Sequence, residues 1–468
     1  MLSSRARGPL CMARNGWQGT LYVGEATMAT RVEWPIGRTT VLLALLGGLL
    51  APAGARAQEP IVPLQFSFSD PGARSMGFGG AFVALADDAT AAFANPAGLV
   101  QLVRPEVSVE GRHWSFSTPF TLGGRAEGLP SGYGIDNVVG LRTATSDTSL
   151  NTLSFLSVAY PGGRWSVAVF RHELANLEFA SETQGLFSGG TDCCQIRAFD
   201  QRVTTDLKFV SYGVSGAYRL HERFVAGFGV IHYRTSMSAQ ATVFYPDDDS
   251  LESLFGPTSY LPERAVGSQT FFGEDTDWGV IGGLLWSPSD SWRVGGVFRQ
   301  GPRVALSAEI TAGPALAPEV TPGEVLARDE SEVQFPWLLG LGVAYRAPDG
   351  GLTVGFQWDH IPYSSILETA GFDDQAVDDV DELHLGGEYV FVRATPVVAL
   401  RAGVWLDPDH QIRSTSDEPV SRALQPPGKD QVHFTFGAGV AFRSFQVDVG
   451  VDLADRVNAF SVSGIYSF

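Results

Sequence analysis

The side chains of this chain that could do chemistry are ionisable groups spread over segments with strand-like alternation. Positive and negative side chains that share the inward face of these strands favour internal ion pairs over ligand contacts. A carboxylate ligand would need a cation, and Arg293, Arg299 and Arg401 are the cations that can be placed on this face. The polar residues predicted to face inward are Arg293, Arg299, Gln357, Asp359, His384, Glu388, Arg401, His433, Asp448 and Asp452.

Catalytic motifs are missing from the sequence. It contains no Gly-x-Ser-x-Gly elbow, no His-Glu-x-x-His motif and no Walker loop. Acidic runs at 247–249 and 373–382 fall in predicted outer loops and lack the spacing of an EF-hand. Solvated loop charge is therefore favoured over weak calcium binding, and we expect no enzyme, no cofactor and no metal site.

Composition narrows the class of protein. Charged residues make up 18% of the 468 residues, below the roughly 25% of soluble domains, while glycine is abundant at 54 residues. The net charge of −19 argues against nucleic-acid binding, which needs a basic face. Glycine-rich, weakly charged strands suit a transmembrane β-barrel.

The N-terminal residues predict export. Arginines precede an apolar run at 41–50, and a small-x-small cleavage sequence follows at 55–57. We expect a leader over 1–57, of which 28–57 is the true signal peptide, because Met28 stands just upstream of a normal n-region. A membrane anchor is the alternative, but the run is shorter than the roughly 20 residues that a spanning helix needs.

Cysteine usage gives no metal motif. Cys193 and Cys194 are adjacent, which does not match ordinary zinc spacing. A vicinal disulfide and two ordinary loop cysteines remain equally open.

Alternation of apolar and polar residues predicts about fourteen antiparallel strands. In Phe445–Leu453, for example, every second residue is apolar and the others are polar or glycine. Short turns alternate with long polar connections, which is typical of a barrel, whereas a β-sandwich has no reason to sort its loops. The predicted strands are 105–116, 150–160, 165–179, 204–219, 224–244, 275–286, 292–311, 332–346, 352–366, 381–393, 397–406, 430–442, 445–454 and 457–468.

One stretch before the strands, residues 71–100, is rich in small apolar residues and does not alternate. Gly77, Gly79 and Gly80 allow a left-handed backbone. Asp87 and Asp88 are candidate N-caps for a short helix over 89–93, which Asn95-Pro96 would end.

Residues 77–99 read GFGGAFVALADDATAAFANPAGL. This motif resembles the N-terminal hatch of the FadL/TodX-like family of outer-membrane transporters for long-chain fatty acids, and the same region of the related PorV-like barrels. The resemblance implies an all-β transmembrane barrel at 105–468, plugged by a hatch at 58–104.

The resemblance also implies roles for hatch residues. Asn95, Pro96 and Ala97 would lie against an irregularity of the wall. The apolar side chains Phe78, Phe82, Leu85 and Phe93 would either line a substrate pocket or pack the hatch against the barrel.

The last strand ends in phenylalanine. Tyr466 and Phe468 share one phase, and this ending resembles the C-terminal insertion signal that the barrel assembly machinery reads. The glycine at 464 is one position away from the common form of that signal.

The function implied by the resemblance is passive uptake of hydrophobic compounds, such as long-chain fatty acids, across a Gram-negative-type outer membrane. Its partners would be outer-membrane lipid, the hydrophobic solute and the assembly machinery. The alternative is a PorV-like scaffold in protein secretion or surface attachment. The sequence leaves open the solute, any carboxylate-binding residues, the gating mechanism and the oligomeric state.

Overall fold

The computed structural model describes residues 70–189, 195–370 and 374–468. The predicted leader at 1–57, the hatch residues 58–69, and Cys193 and Cys194 lie outside these ranges. Within them, no helix is both long and apolar enough to cross a membrane.

Strands dominate the described residues. They are β1 (Glu106–Glu127), β2 (Leu141–Pro161), β3 (Trp165–Glu182), β4 (Leu186–Gly189), β5 (Gln195–Arg197), β6 (Asp200–His221), β7 (Phe224–Phe244), β8 (Ala265–Trp286), β9 (Trp292–Arg299), β10 (Arg303–Ala312), β11 (Val325–Gln334), β12 (Leu338–Arg346), β13 (Leu352–Ile361), β14 (Gln375–Ala376), β15 (Val380–Phe391), β16 (Val397–Asp407), β17 (Arg413–Ser414), β18 (Gln431–Ala441), β19 (Phe445–Leu453) and β20 (Val457–Ser467).

Helices in the described residues are short. They are α1 (Ala73–Gly77), α2 (Ala91–Ala94), α3 (Leu251–Leu254), α4 (Ser365–Ala370) and α5 (Pro419–Leu424), with 3₁₀ turns at Pro96–Gln101 and Pro262–Arg264.

The wall is a closed antiparallel barrel with 14 strand positions, which confirms the predicted count. β9 and β10 share one position and β12 and β11 share the next, because each of these strands is interrupted. β1 pairs with β20 from Glu106↔Ser467 to Phe116↔Val457, and this ladder closes the barrel. β4 and β5 extend the sheet beside β1, while β14 and β17 form a separate ribbon.

The two ends of the barrel differ in the length of their connections. One end, called here the short-turn end, carries the turns 162–164, 222–223, 287–291, 347–351, 392–396 and 442–444. The opposite, long-loop end carries the connections 128–140, 183–199, 245–264, 313–324, 362–379, 408–430 and the short turn 454–456. The predicted sorting of short and long loops is therefore present.

Side chains alternate between the two faces of the wall. On β3, Val167 and Val169 are 45% and 52% exposed on the outside, whereas Ser166 and Ala168 are buried on the inside. Tyr466 and Phe468 also point outward, and the Phe468 amide donates a hydrogen bond to the Pro105 carbonyl at 3.1 Å. Their role as an insertion signal stays a prediction.

Several predicted strand bounds were wrong at the long-loop end. β1 extends to Glu127 and β2 begins already at Leu141. Serine and threonine on both faces hide the alternation of these two strands there. β13 ends at Ile361, where Pro362 lacks an amide donor, and α4 follows instead of further strand. β15 begins at Val380, one residue before its predicted start, so Asp381 and Glu382 at the end of the acidic run lie on a strand and not in an outer loop.

Candidate channel lumen and wall opening

Residues 70–102 pack against the inner face of the wall, where a row of glycines lets backbone approach backbone. A Cβ on Gly386 would lie 1.9 Å from the Phe78 carbonyl oxygen, and one on Gly227 would lie 2.3 Å from the Ala97 nitrogen. Each distance is far below an ordinary contact, so a larger residue would displace the segment. The inward-facing wall glycines in such close contact are Gly227, Gly283, Gly295, Gly355, Gly386, Gly403, Gly437 and Gly450.

The backbone of this segment follows the prediction in part. Gly79 and Gly80 have φ of +71° and +76°, as expected. Gly77 does not have a positive φ and serves instead as a point of close contact, because a Cβ added to it would lie 2.8 Å from the Gly437 Cα. Wall and segment thus meet glycine to glycine.

The predicted short helix is α2, and its start was misplaced. Thr90 is its N-cap, while Asp88 Oδ1 accepts the Thr90 amide at 2.9 Å just before it. Asn95, with φ of −158°, ends the helix as predicted. It then caps the 3₁₀ turn that Pro96 begins, since Asn95 Oδ1 accepts the Ala97 amide at 3.1 Å.

Asn95 also joins the segment to the wall. Its Nδ2 donates to the Val83 carbonyl at 2.8 Å and to the Leu284 carbonyl of β8 at 3.2 Å. The β8–β9 ladder is regular at Leu284, so Asn95 does not contact an irregularity there. Phe93 is closer to one, because its ring packs edge-on against His172, centroids 4.4 Å apart, beside the bulge in β3.

The four apolar residues singled out by the resemblance are buried. Phe78, Phe82, Leu85 and Phe93 are each at most 1% exposed and belong to the main hydrophobic core. Phe78 packs on the wall glycines. Their position fits the packing alternative, while any part in gating stays a prediction.

A chain of ion pairs fastens the segment near the short-turn end. Arg74 lies 2.5 Å from Asp87 and 3.2 Å from Glu388, measured between charged atoms. Arg401 in turn lies 2.6 Å from Glu388 and 2.7 Å from Asp448. The predicted internal ion pairs are therefore present, and they connect the segment to β15, β16 and β19.

Asp87 lies among the positive charges of this network. Burial alone would raise its pKa, but Arg74, Arg346 and Arg293 surround it and together hold the pKa of the carboxyl well below its ordinary value. The closest wall contact is Arg346 Nη2 at 3.0 Å. Asp87 therefore stays ionised and keeps the segment attached at neutral pH.

The three predicted inward cations already have acidic or carbonyl partners. Arg299 lies 3.3 Å from Asp70 and donates to the Phe93 carbonyl at 3.2 Å. Arg293 lies 3.9 Å from Asp87, and Arg401 bridges two carboxylates. The described residues thus place each of these arginines in the attachment of the segment or in a wall ion pair.

A cavity remains beside the segment, with about 1070 Å³ of empty space that is partly continuous with solvent. One side is mostly apolar and is formed by β1, β3, β20 and Met76. The opposite side is polar and is formed by β13, β15, β16, β18 and β19. The apolar residues of the first side are Met76, Trp114, Phe116, Leu174, Ala175, Leu177, Val457 and Ala459, and the polar side includes Gln357, Asp359, Glu382, His384, Asp407, Gln431, His433 and Asp452 together with the ring of Trp405.

The apolar side of this cavity meets a gap in the wall. β2 and β3 pair over only seven residues of each strand, from Pro161↔Ser166 to Phe155↔His172. Beyond them β2 continues against β1, and β3 continues against β6 with a bulge at Leu174. The strands meet again at Thr148, whose hydroxyl donates to the Glu178 carbonyl at 3.0 Å. Between these levels, residues 174–177 line the cavity.

Comparison with solved structures identifies the architecture. A Pseudomonas aeruginosa FadL homologue matches with a TM-score of 0.59 at 15% identity, over 87% of this chain and 100% of that one. The CymD monoaromatic hydrocarbon channel matches with a TM-score of 0.51 at 17% identity, over 86% and 99%. The Ralstonia pickettii toluene transporter TbuX matches with a TM-score of 0.51 at 14% identity, over 86% and 100%.

The chain has the FadL fold. The resemblance predicted from residues 77–99 is thereby confirmed at the level of fold. Comparisons with protein-family models and with curated proteins found no match.

Sequence reasoning missed two inner features of this FadL-type barrel. Glu110 and Arg112 form a buried ion pair of 2.6 Å in β1, although their spacing of two residues does signal a shared face. The gap, which precedes Phe155 in β2 and follows His172 in β3, was not foreseen, because it depends on which strands pair and not on the sequence of either strand alone.

Proposed function

We propose that this protein is an outer-membrane channel for passive uptake of hydrophobic compounds. The observation that carries the proposal is the cavity whose apolar side ends at the gap between β2 and β3. A water-filled pore would not favour apolar solutes, whereas a route from an apolar pocket sideways into lipid would.

The outer face of the barrel supports its place in a membrane. Aromatic residues concentrate where membrane meets water. Trp165, Trp286 and Trp292 are exposed near the short-turn end, while Trp278 and Trp337 are exposed further along the wall. Between these levels the outward side chains are mainly valine, leucine and phenylalanine, which suit contact with lipid.

We assign the role of hatch to residues 58–104, of which 70–104 are described. The ion pairs and backbone contacts of residues 70–102 hold this part inside the wall, while the ladders between strands close the barrel without it. Asn95, Pro96 and Ala97 would fix the hatch to β7 and β8. Movement of the hatch would change the shape of the neighbouring cavity, to which it contributes Met76 and Gly80.

The charges of the cavity bear on the solute. Its polar side carries the carboxylates of Asp359, Glu382 and Asp452, while Arg112 is paired with Glu110. This excess of acidic groups favours uncharged hydrophobic compounds over ionised fatty acids. We therefore expect a monoaromatic hydrocarbon to be taken up better than the long-chain fatty acids that the sequence resemblance implies.

The proposal can be tested by narrowing the gap. Ala175→Trp places a large ring where the cavity meets the gap, whereas Val167→Trp places the same ring on the lipid-facing side of the same strand. Uptake of labelled toluene and of a labelled long-chain fatty acid is measured in cells with equal levels of folded barrel. Ala175→Trp should reduce uptake severalfold, and Val167→Trp should leave it near the wild-type level.

Two results would contradict the proposal. Equal uptake by the two variants would show that the gap is not the route. Absence of uptake by the wild-type protein for both kinds of solute would exclude the channel and leave the secretion scaffold as the better account.

A further inference from the structure

Three ionisable side chains meet at the polar side of the cavity, toward the long-loop end. Asp359 of β13 is the direct cross-strand neighbour of Glu382 of β15, and Gln357 is the neighbour of His384. One carboxylate oxygen from each acid and one ring nitrogen of His384 lie within 4.8 Å of one another. All three residues are more than nine-tenths buried, at 6%, 3% and 7% exposure.

This arrangement is electrostatically incomplete. Like charges directly opposite in a ladder repel, and burial strengthens that repulsion. Asp359 Oδ1, Glu382 Oε1 and His384 Nε2 each lack a hydrogen-bond partner among the described residues. Nε2 is 3.5 Å from the Asp359 carboxylate and 3.4 Å from the Glu382 carboxylate. Both distances exceed the roughly 2.7–2.9 Å of a strong charge-assisted hydrogen bond.

The orientation of His384 is set by the N-terminal segment. Its Nδ1 lies 2.8 Å from the Gly79 carbonyl oxygen, which can only accept, so Nδ1 carries the proton of the neutral ring. When the ring is neutral, the lone pair of Nε2 therefore faces two carboxylates. Histidines that bind metals have this arrangement, with the second nitrogen donating to a carbonyl.

We propose that Asp359, Glu382 and His384 bind a divalent transition-metal ion. One imidazole and two carboxylates suit Zn²⁺, Mn²⁺ or Fe²⁺ better than Ca²⁺ or Mg²⁺, which prefer oxygen donors alone. Three protein ligands leave positions for water, and the adjoining cavity gives room for it.

A similar set of contacts orients Asp359. Gln357 Nε2 donates to Asp359 Oδ2 at 2.7 Å, and Gln357 Oε1 accepts the Val83 amide at 2.8 Å. Gly79 and Val83, which orient two of the three ligands, belong to the segment inside the barrel. The ion therefore ties that segment to β13 and β15, and its charge would offset the two carboxylates that face the cavity.

Metal content provides the direct test. The purified whole protein is stripped with a chelator, loaded with Zn²⁺, dialysed and analysed for bound zinc. The wild type should retain one equivalent. Glu382→Gln and His384→Gln should lose it, while His433→Gln, which changes another buried histidine lining the same cavity, should retain it.

The unfolding temperature of Glu382→Gln should differ from that of the wild type in opposite directions without metal and with Zn²⁺. Without metal, Glu382→Gln should raise the temperature at which the barrel unfolds, because it removes a buried like-charge contact. With Zn²⁺, the wild type should gain stability and the variant should not. An X-ray absorption spectrum of the zinc-loaded wild type, which does not depend on any variant folding, should show one imidazole among oxygen ligands.

Three results would overturn the proposal. One is the absence of saturable Zn²⁺ binding by the wild type, which would mean that protonation of His384 balances the two acids. The second is equal loss of zinc in His433→Gln. The third is a spectrum without imidazole.

Discussion

Adding one methyl group to the wall should loosen the segment inside it without harming the barrel. In Gly386→Ala the new Cβ would stand 1.9 Å from the Phe78 carbonyl oxygen, about 1.5 Å short of the 3.4 Å at which ordinary contact begins. Overpacking of this kind costs about 1–3 kcal/mol. At about 1.4 kcal/mol per tenfold change, the fraction of molecules with the segment detached should rise about 5- to 150-fold.

The neighbouring glycine is a matched control. A Cβ on Gly387 points to the other face and meets nothing closer than 3.9 Å. Hydrogen exchange of the amides at 77–86 measures detachment of the segment from the wall. Heat-modifiable migration on gels measures the amount of folded barrel. Gly386→Ala should exchange faster at 77–86, and Gly387→Ala should match the wild type. Equal exchange in both variants, or loss of the barrel in Gly386→Ala, would refute the close packing of segment and wall.

Two further predictions concern charge. Because the pKa of Asp87 is depressed in the folded state, its stabilising effect is present above its unfolded pKa of about 3.9 and is lost as the pH falls through the folded value. Asp87→Asn should therefore speed exchange of the segment at neutral pH, and the difference from wild type should shrink below about pH 4; a constant difference would contradict this. Val451→Arg, on the outer face, should reduce the yield of folded barrel more than Asp452→Arg on the inner face, since arginine facing mid-bilayer lipid costs about 2–4 kcal/mol. Equal yields on heat-modifiable gels would show that the faces are assigned wrongly.

The wall could be predicted because its signal is local. Alternation along Phe445–Leu453 needs no knowledge of neighbouring strands, and turn residues mark most strand ends. The signal fails where both faces are polar, as in β2 before Leu150, because water contacts both sides of the strand.

The cluster of Asp359, Glu382 and His384 could not be predicted, because it depends on the pairing register of β13 with β15. Asp359, Glu382 and His384 come from two strands, and their meeting follows from a pairing that brings residue 359 opposite 382. The bond from His384 to Gly79 spans 305 residues of sequence. The ion pair of Arg401 with Glu388 was foreseeable as a type of contact, although its link to Arg74 was not.

The short ladder between β2 and β3 also has a mechanical consequence. Its seven pairs are fewer than the eleven that join β1 to β20, where the two ends of the barrel sequence meet. Under an applied force, rupture should therefore start within the sheet and not at its closure. The β2–β3 ladder is therefore the expected site of strand separation, and lateral pressure in the bilayer would change how readily these two strands part.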